Sequence, residues 1–181
     1  MAWASSPCAH GQDSHATIQM VNKSKTRKTW REKLENPPAG LPKIVDGPEK
    51  WKKRFGGTRV LVPTPLLVDK VIQTVKKGKL ITVNQIREKL AQEFNAEVTC
   101  QITTGIFIRI CAEVAEEDLQ SGKKRVAPYW RVIKSDGSLN PKYPGGVESQ
   151  AEHLKSENIV IMPSKGKKPP IVKDFEKYIT G

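Results

Sequence analysis

Apolar residues along this chain fall in short runs whose spacing alternates between that of a strand and that of a helix. Arg59-Val60-Leu61-Val62 reads as a strand ended by Pro63-Thr64-Pro65. Leu66, Leu67, Val71, Ile72 and Val75 then recur at helical spacing, with Lys76 and Lys77 in the last turn and Gly78 closing it. Thr82 is placed as the N-cap of a second helix over 83–94, with Val83, Ile86, Leu90 and Phe94 on one stripe. After a turn over 95–99, Ile102, Ile106, Ile110 and Val114 repeat every four residues, joined by Phe107 and Cys111, and predict a third helix ending near Glu117. Thr103, Thr104, Gly105 and Arg109 are assigned to its solvent face. A glycine inside a helix costs about 1 kcal/mol relative to Ala, so Gly105 calls for close approach, either of a DNA backbone or of a neighbouring helix.

Two helices joined by a short polar connection and followed by a β-wing describe a winged helix-turn-helix. Ser135-Asp136-Gly137-Ser138 supplies the wing's turn, with Asp-Gly at its centre. Another helix is predicted over 147–156. Ile159-Val160-Ile161 and Pro170-Ile171-Val172 flank a turn over 165–168 as a β-ribbon, and a last short helix holds Phe175 and Tyr178. The predicted class is α+β, mainly helical. It comprises a disordered tail (1–22), a basic arm (23–58), a winged helix-turn-helix DNA-binding domain (59–158) and a C-terminal β-ribbon with a short helix (159–181).

Charge sharpens this picture. The 181 residues hold 31 Lys and Arg against 19 Asp and Glu, a net charge of +12, which points to a polyanionic partner because each neutralised phosphate releases condensed counterions. In the arm, Trp30 and Leu34 are four apart and predict one helical turn packed onto the body, whereas Pro37-Pro38, Gly40 and Pro42 break regular structure. The arm either tracks phosphates beside the main site or is a solvated strap anchored by Trp30 and Trp51. Lys123, Lys124, Arg125, Arg131 and Lys134 form a second basic stretch with no acid before Asp136; it is either a duplex contact or a solvated charge run. Cys8, Cys100 and Cys111 have neither CxxC spacing nor paired histidines, which argues against a metal site or a disulfide framework and for a reducing compartment. No run approaches the ~18–20 apolar residues of a membrane span, and the first 19 residues lack an apolar h-region. The expectation is a monomer without cofactor, away from membranes, cytoplasmic (nucleoid) or nuclear and not secreted.

The chemistry sits in VAPYWRVIKSDGSLNPKYPGGVESQAEHLKSE, residues 126–157, where Pro128, Arg131, Val132, Gly137, Tyr143, Gly145, Gly146 and Glu157 share one register. That register resembles the segment around the nucleophile of the alkylguanine-DNA alkyltransferases, the methylated-DNA–protein-cysteine methyltransferase family: Pro-Cys-His-Arg-Val, a Ser-Gly wing, Tyr-x-Gly-Gly, a helix and a closing Glu. The resemblance runs from about 65 to 157. Tyr129 stands at the cysteine position and Trp130 at the histidine position. The resemblance implies a DNA-binding fold without alkyl transfer, because that reaction needs a soft thiolate and a histidine base. A phenol with a pKa near 10 is mostly protonated at neutral pH, and an indole takes up no proton. Cys111 offers no substitute, being on the core face with no histidine near in sequence.

The family's alkyltransferase-like branch also lacks the cysteine and binds alkylated guanine without repairing it. On that likeness Tyr129, Trp130 and Tyr143 either rim a lesion pocket, stacking on a base for ~1–3 kcal/mol, or fill the vacated pocket as core. Arg131 and Glu157, which in the family orient the active-site strand and the following helix, become a buried structural pair. The arginine that replaces an extruded nucleotide in the family falls at about Thr104 or Gly105, with Arg109 one turn on. The tyrosine of the family's Gly-x-x-Thr/Ser-Tyr frame is replaced by Val83. Residues 116–124 look inserted relative to the family's tighter helix-to-strand loop. The implied partner is double-stranded DNA, alkylated or not, contacted through Thr103, Thr104, Gly105, Arg109, Lys123, Lys124, Arg125 and Lys134. The implied function is non-catalytic DNA binding in repair; the alternatives are a protein-interaction module and a general DNA-binding protein on the same fold.

Overall fold

Two hydrophobic cores share one short parallel sheet in this protein, whose computed structural model describes residues 28–163, 166 and 168–180. The tail over 1–22, the first basic residues of the arm and Cys8 lie outside the described residues. In chain order the elements are α1 (Trp30–Glu35), β1 (Lys43–Asp46), α2 (Trp51–Phe55), β2 (Arg59–Val62), α3 (Pro65–Gln73), β3 (Ile81–Thr82), α4 (Val83–Glu93), β4 (Val98–Thr99), α5 (Gln101–Gln120), β5 (Val132–Ile133), α6 (Gly146–Ser156), β6 (Ile161–Met162) and β7 (Ile171–Val172). Two 3-10 turns, Tyr129–Arg131 and Phe175–Tyr178, complete the described chain. The class is α+β.

Local chemistry starts three of the helices. Thr29 and Glu32 form a reciprocal capping box on α1, as do Thr82 and Gln85 on α4. Thr64 accepts from the Leu67 amide, and Pro65 fills the first position of α3. Each such cap is worth roughly 1 kcal/mol.

The parallel pair β3–β5 lies between the cores and is buried on both faces. Alternation along each strand sends Ile81 and Val132 into the first core and Leu80 and Ile133 into the second. The first core gathers α1, α3, α4, α5 and β2 around Leu61, Ile72, Leu90 and Ile108; the second gathers Leu139, Leu154, Ile159 and Val172. Trp130 packs against both.

Several expectations from the sequence are corrected here. The helical turn expected at Trp30 and Leu34 does pack onto the body as α1, with Leu34 buried in the first core, but the arm goes further than expected, because β1 pairs antiparallel with β2. Residues 95–99 are not only a turn. Val98 and Thr99 form β4, parallel to β2, held further by Glu97 N donating to Arg59 O and Cys100 N to Leu61 O. α5 runs to Gln120, so residues 116–120 are its last turn and not a loop. The wing has no hairpin: β5 pairs with β3, and Ser138 bridges to Ile171. The C-terminal β-ribbon and short helix form as expected, β6 pairing antiparallel with β7 and a 3-10 turn holding Phe175 and Tyr178, but they are packed into the body: Val172 is buried in the second core and Phe175, Tyr178 and Ile179 pack against it.

That segment also covers the expected wing turn. Val172 N donates to Gly137 O (3.0 Å), and the Phe175 ring occupies the space over Gly137, whose φ is +79°. A Cβ there meets the ring in a left-handed backbone conformation. Gly137→Ala is expected to cost about 1–3 kcal/mol, read as a lowered midpoint in a urea titration followed by circular dichroism.

Candidate nucleic-acid interface

The 3-10 turn at Tyr129–Arg131 points successive side chains to different surroundings. Tyr129 is 0% exposed, and its hydroxyl donates to Glu116 Oε1 at 2.6 Å. Its ring meets those of Trp130 and Tyr143 edge-on, each at 5.5 Å between centroids. Tyr143 is buried too, donating to Val132 O at 3.3 Å. Burial, then the hydrogen bond to the Glu116 carboxylate, push the Tyr129 phenol far above its ordinary range; burial does the same to Tyr143. Of the two readings the sequence left open, core filling holds at Tyr129; Tyr143 also fills the core, which corrects its assignment to a lesion pocket, and only Trp130 of the three stays half-buried. One face of Trp130 is covered by His153, stacked at 4.4 Å and 13°, whose Nε2 also reaches Glu116 Oε1 at 3.3 Å. Cys111 is buried, its Sγ donating to Pro65 O at 3.6 Å, and burial pushes its thiol well up.

Arg131 and Glu157 form the pair expected from the sequence. Arg131 Nε donates to both Glu157 oxygens at 3.0 Å, its Nη2 to Oε1 at 2.8 Å and its Nη1 to Val75 O. Glu157 further accepts from Trp130 Nε1 (2.7 Å) and the Gly78 amide (2.9 Å). Burial works to raise its carboxyl, but the hydrogen bonds from Arg131, Gly78 and Trp130 together hold it below the ordinary carboxylate value.

Beside this pair opens a cleft of about 540 Å³ between α1, α3, the C-terminal half of α5 and the 124–131 segment. Leu34, Cys111 and Val114 give it apolar walls, Trp130 an aromatic one, and Lys124, Arg125 and Arg131 its cations. Burial raises the Asp69 carboxyl on its edge, only partly offset by hydrogen bonds with Gln73 and Cys111. Lys123 is not free for a ligand, since its Nζ lies 2.7 Å from Asp118, which also binds Arg31. Lys123 and Arg31 together hold the Asp118 carboxyl below its usual value. Lys124 and Arg125 are exposed, and Lys134 is half-buried beside the covered wing turn.

The outer face of α5 differs most from expectation. Thr104, expected outward, is 0% exposed and donates through Oγ1 to Cys100 O at 2.8 Å; Thr103 is half-buried and bonds to the same carbonyl. Ile102 and Ile106, expected in the core, are 58% and 53% exposed. A four-residue repeat advances about 40° too far per step on a helix of 3.6 residues per turn, so a stripe that is buried at Ile110 and Val114 has rotated outward by Ile106 and Ile102. Gly105 is exposed, and a Cβ on it would meet nothing within 4 Å, so no neighbouring helix accounts for it. Arg109 is exposed on the same side, paired with Glu113 at 3.3 Å, its guanidinium 5.7 Å from the Trp30 ring. The exposed isoleucine pair is the feature that sequence reasoning missed; the only signal for it was the four-residue spacing itself.

No helix among the described residues is long and apolar enough to cross a membrane. No protein-family model matches the chain, and no curated protein does. Among solved structures it is similar to S. pombe Atl1 in complex with damaged DNA containing O6-carboxymethylguanine, at 17% identity and TM-score 0.45 over 65% of this chain and 94% of that one. It is also similar to S. pombe ATL in complex with DNA, at 16% identity, the same TM-score and the same coverage.

Proposed function

We propose that this chain is a non-catalytic DNA-binding protein of helix-turn-helix type, which recognises alkylated guanine without repairing it. The observation that carries the reading is the outer face of α5: residues 98–112 contain no acidic side chain, and Arg109 projects from them in a chain of net charge +12. Such a surface approaches a duplex without like-charge repulsion. Lys124 and Arg125, exposed beyond the end of α5, extend it. The absence of catalysis is supported by chemistry: the Tyr129 phenol is buried and stays protonated, Trp130 takes up no proton, and the Cys111 thiol is buried with its titration pushed up. Trp130, the one half-open aromatic of the segment and a wall of the 540 Å³ cleft, is assigned as the surface that meets the altered base.

An anisotropy titration of duplexes with and without O6-methylguanine, at two salt concentrations, tests this. Log affinity should fall with log salt at a slope of about −3 or steeper, at about 0.9 per phosphate contact. Lys124→Ala with Arg125→Ala should flatten that slope by about 2, roughly one per lysine or arginine removed. The methylated duplex should bind more tightly, and Trp130→Ala should erase the difference. Salt-independent or absent binding would favour a protein-interaction module, equal affinity for both duplexes would leave general DNA binding, and transfer of a labelled methyl group to the protein would overturn the non-catalytic reading.

A further inference from the structure

We propose that α2 is a second duplex-binding surface, whose Lys50, Lys53 and Arg54 hold phosphates of the DNA that flanks the stretch meeting the α4–α5 helix pair. This rests on the reading that the protein binds duplex DNA, and adds a contact from outside the segment that resembles the alkyltransferases. The short helix is two-sided. Lys50, which caps it with helical backbone angles, Lys53 and Arg54 fall at i, i+3 and i+4 on one face, and all three are exposed. Trp51 and Phe55, also four apart, are half-buried on another side, with their rings edge-on at 5.3 Å.

The fold fixes where this surface points. The Trp51 ring lies so close over Gly47 that a Cβ there would overlap it. Gly47 N donates to Thr58 O at 2.9 Å across the base of the loop, and the Glu97 carboxylate accepts from the Thr58 amide at 2.6 Å. Phe55 closes a cleft of about 190 Å³ with Asn84, Arg87 and Glu88 of α4 and Val98 and Thr99 of β4. Since β4 is the connection between α4 and α5, the cations of α2 stand beside the turn of that helix pair, next to the backbone of a duplex seated on it.

The surroundings select the occupant. Glu49 is taken by Lys52 at 2.6 Å and Glu97 by the Thr58 and Arg59 amides, whereas Lys50, Lys53 and Arg54 form no ion pair among the described residues. Single strands are gripped through open aromatic rings on which bases stack, but Trp51 and Phe55 turn toward the body, and Arg54 lies over the Phe55 ring at 5.2 Å. A lipid surface calls for exposed apolar side chains beside the cations, and α2 has no large exposed hydrophobic residue. Cations with neither open rings nor apolar groups fit the backbone of a duplex, which carries a phosphate about every 3.4 Å of axis along each strand. Lys50 and Arg54 are about 6 Å apart along the helix axis, enough for about two phosphates of one strand. Phosphate contacts carry no sequence information, so the added affinity should be the same for any flanking sequence.

The test uses the full chain and two duplexes, one just long enough to bind and one extended by about one helical turn on each side. Wild type should bind the longer duplex several-fold more tightly and with a steeper salt slope. Lys50→Ala/Lys53→Ala/Arg54→Ala should erase that gain and flatten the slope on the longer duplex by about 2–3, at roughly one per cation removed. It should melt at an unchanged temperature, because all three side chains face water. Lys50→Arg/Lys53→Arg/Arg54→Lys should keep the gain. Lys70→Ala/Lys155→Ala/Lys173→Ala, which removes the same charge from α3, α6 and the segment after β7, should keep it too. The proposal is overturned if wild type gains nothing from the added length or if the α2 triple-alanine variant keeps the gain. Equal loss in both triple-alanine variants would also overturn it, as an effect of net charge alone. So would a variant that loses binding to phosphatidylserine vesicles and keeps wild-type duplex affinity. In each of these results a duplex still binds and the DNA-binding reading stands; failure of wild type to bind any duplex at low salt would overturn both together.

Discussion

Arg131→Ala is expected to unfold at a midpoint roughly 6–20 °C below wild type, from the 3–5 kcal/mol lost on breaking a buried ion pair at about 2–4 °C per kcal/mol for a chain of this size. The reason is what Arg131 leaves behind. Its guanidinium holds both oxygens of Glu157, and the Glu157 side chain is only 5% exposed. Without Arg131 that carboxylate keeps the Trp130 indole and the Gly78 amide as donors but loses its counter-charge. The pair also ties α6 to the turn after α3, through Val75 O and the Gly78 amide. Arg131→Met combined with Glu157→Leu should recover part of the loss, since an apolar pair leaves no unpaired charge. DNA affinity per folded molecule should survive Arg131→Ala at low temperature; a variant that kept its midpoint and lost binding would place Arg131 on the DNA.

The same pair sets a pH dependence. The Glu157 carboxyl titrates below its ordinary value in the folded protein, chiefly because the hydrogen bonds from Arg131, Gly78 and Trp130 outweigh its burial. A group depressed on folding contributes stability above its unfolded pKa, about 4.3 for Glu, and that contribution disappears as pH falls through the lower folded value. Thermal midpoints measured downward from about pH 5 should therefore fall for wild type. Glu157→Gln should start lower and show a shallower decline.

Tyr129→Ala is the second large effect. Removing a fully buried ring is expected to cost about 3–5 kcal/mol, transfer and cavity together, measured as the shift of the urea midpoint at constant slope. Trp130, Tyr143 and His153 all lose an edge-on aromatic partner. Tyr129→Phe separates packing from hydrogen bonding. It keeps the ring and removes the donor to Glu116, which retains only His153, for a loss of roughly 1–3 kcal/mol. Neither Tyr129→Phe nor Tyr143→Phe should alter the discrimination between methylated and unmethylated duplex, while Trp130→Ala should remove it. An unchanged urea midpoint in Tyr129→Ala would mean that the phenol is not part of the core.

Much of the helical framework was legible because it is written locally. α4 was read from Thr82 and its apolar stripe, α3 from its spacing, and α6 from its own window, although α3 ends at Gln73 with Lys70 in its last turn and does not reach Lys76, Lys77 and Gly78; caps and a 3.6-residue period act within a few neighbours. The Arg131–Glu157 pair was legible only through a resemblance, since nothing local joins residues so far apart in sequence. The short strands were the failure. β3, β4 and β5 are two residues each, too short for alternation to register, and they are strands only because a distant partner supplies the hydrogen bonds. The wing failed for the same reason: Asp136-Gly137 did make a turn, but the C-terminal segment took the pairing that a hairpin would have used.

At the candidate site, the residue types were decided by the sequence alone: a phenol at 129 followed by an indole at 130, a basic surplus, and an acid-free stretch at the start of α5. Those statements depend on covalent chemistry and charge, which no fold alters. Which of these groups meets solvent was decided only by the tertiary structure. Tyr129 and Tyr143 went inward because their rings fill the space between α5, α6 and the central sheet. Thr104 went inward because its hydroxyl finds Cys100 O at the start of its own helix. Ile102 and Ile106 went outward because a helix buries one stripe, and α1, α3 and α4, packing on α5, selected the one through Phe107, Ile108 and Cys111. An apolar pattern states how much surface a helix must bury; the elements packed around it choose which side.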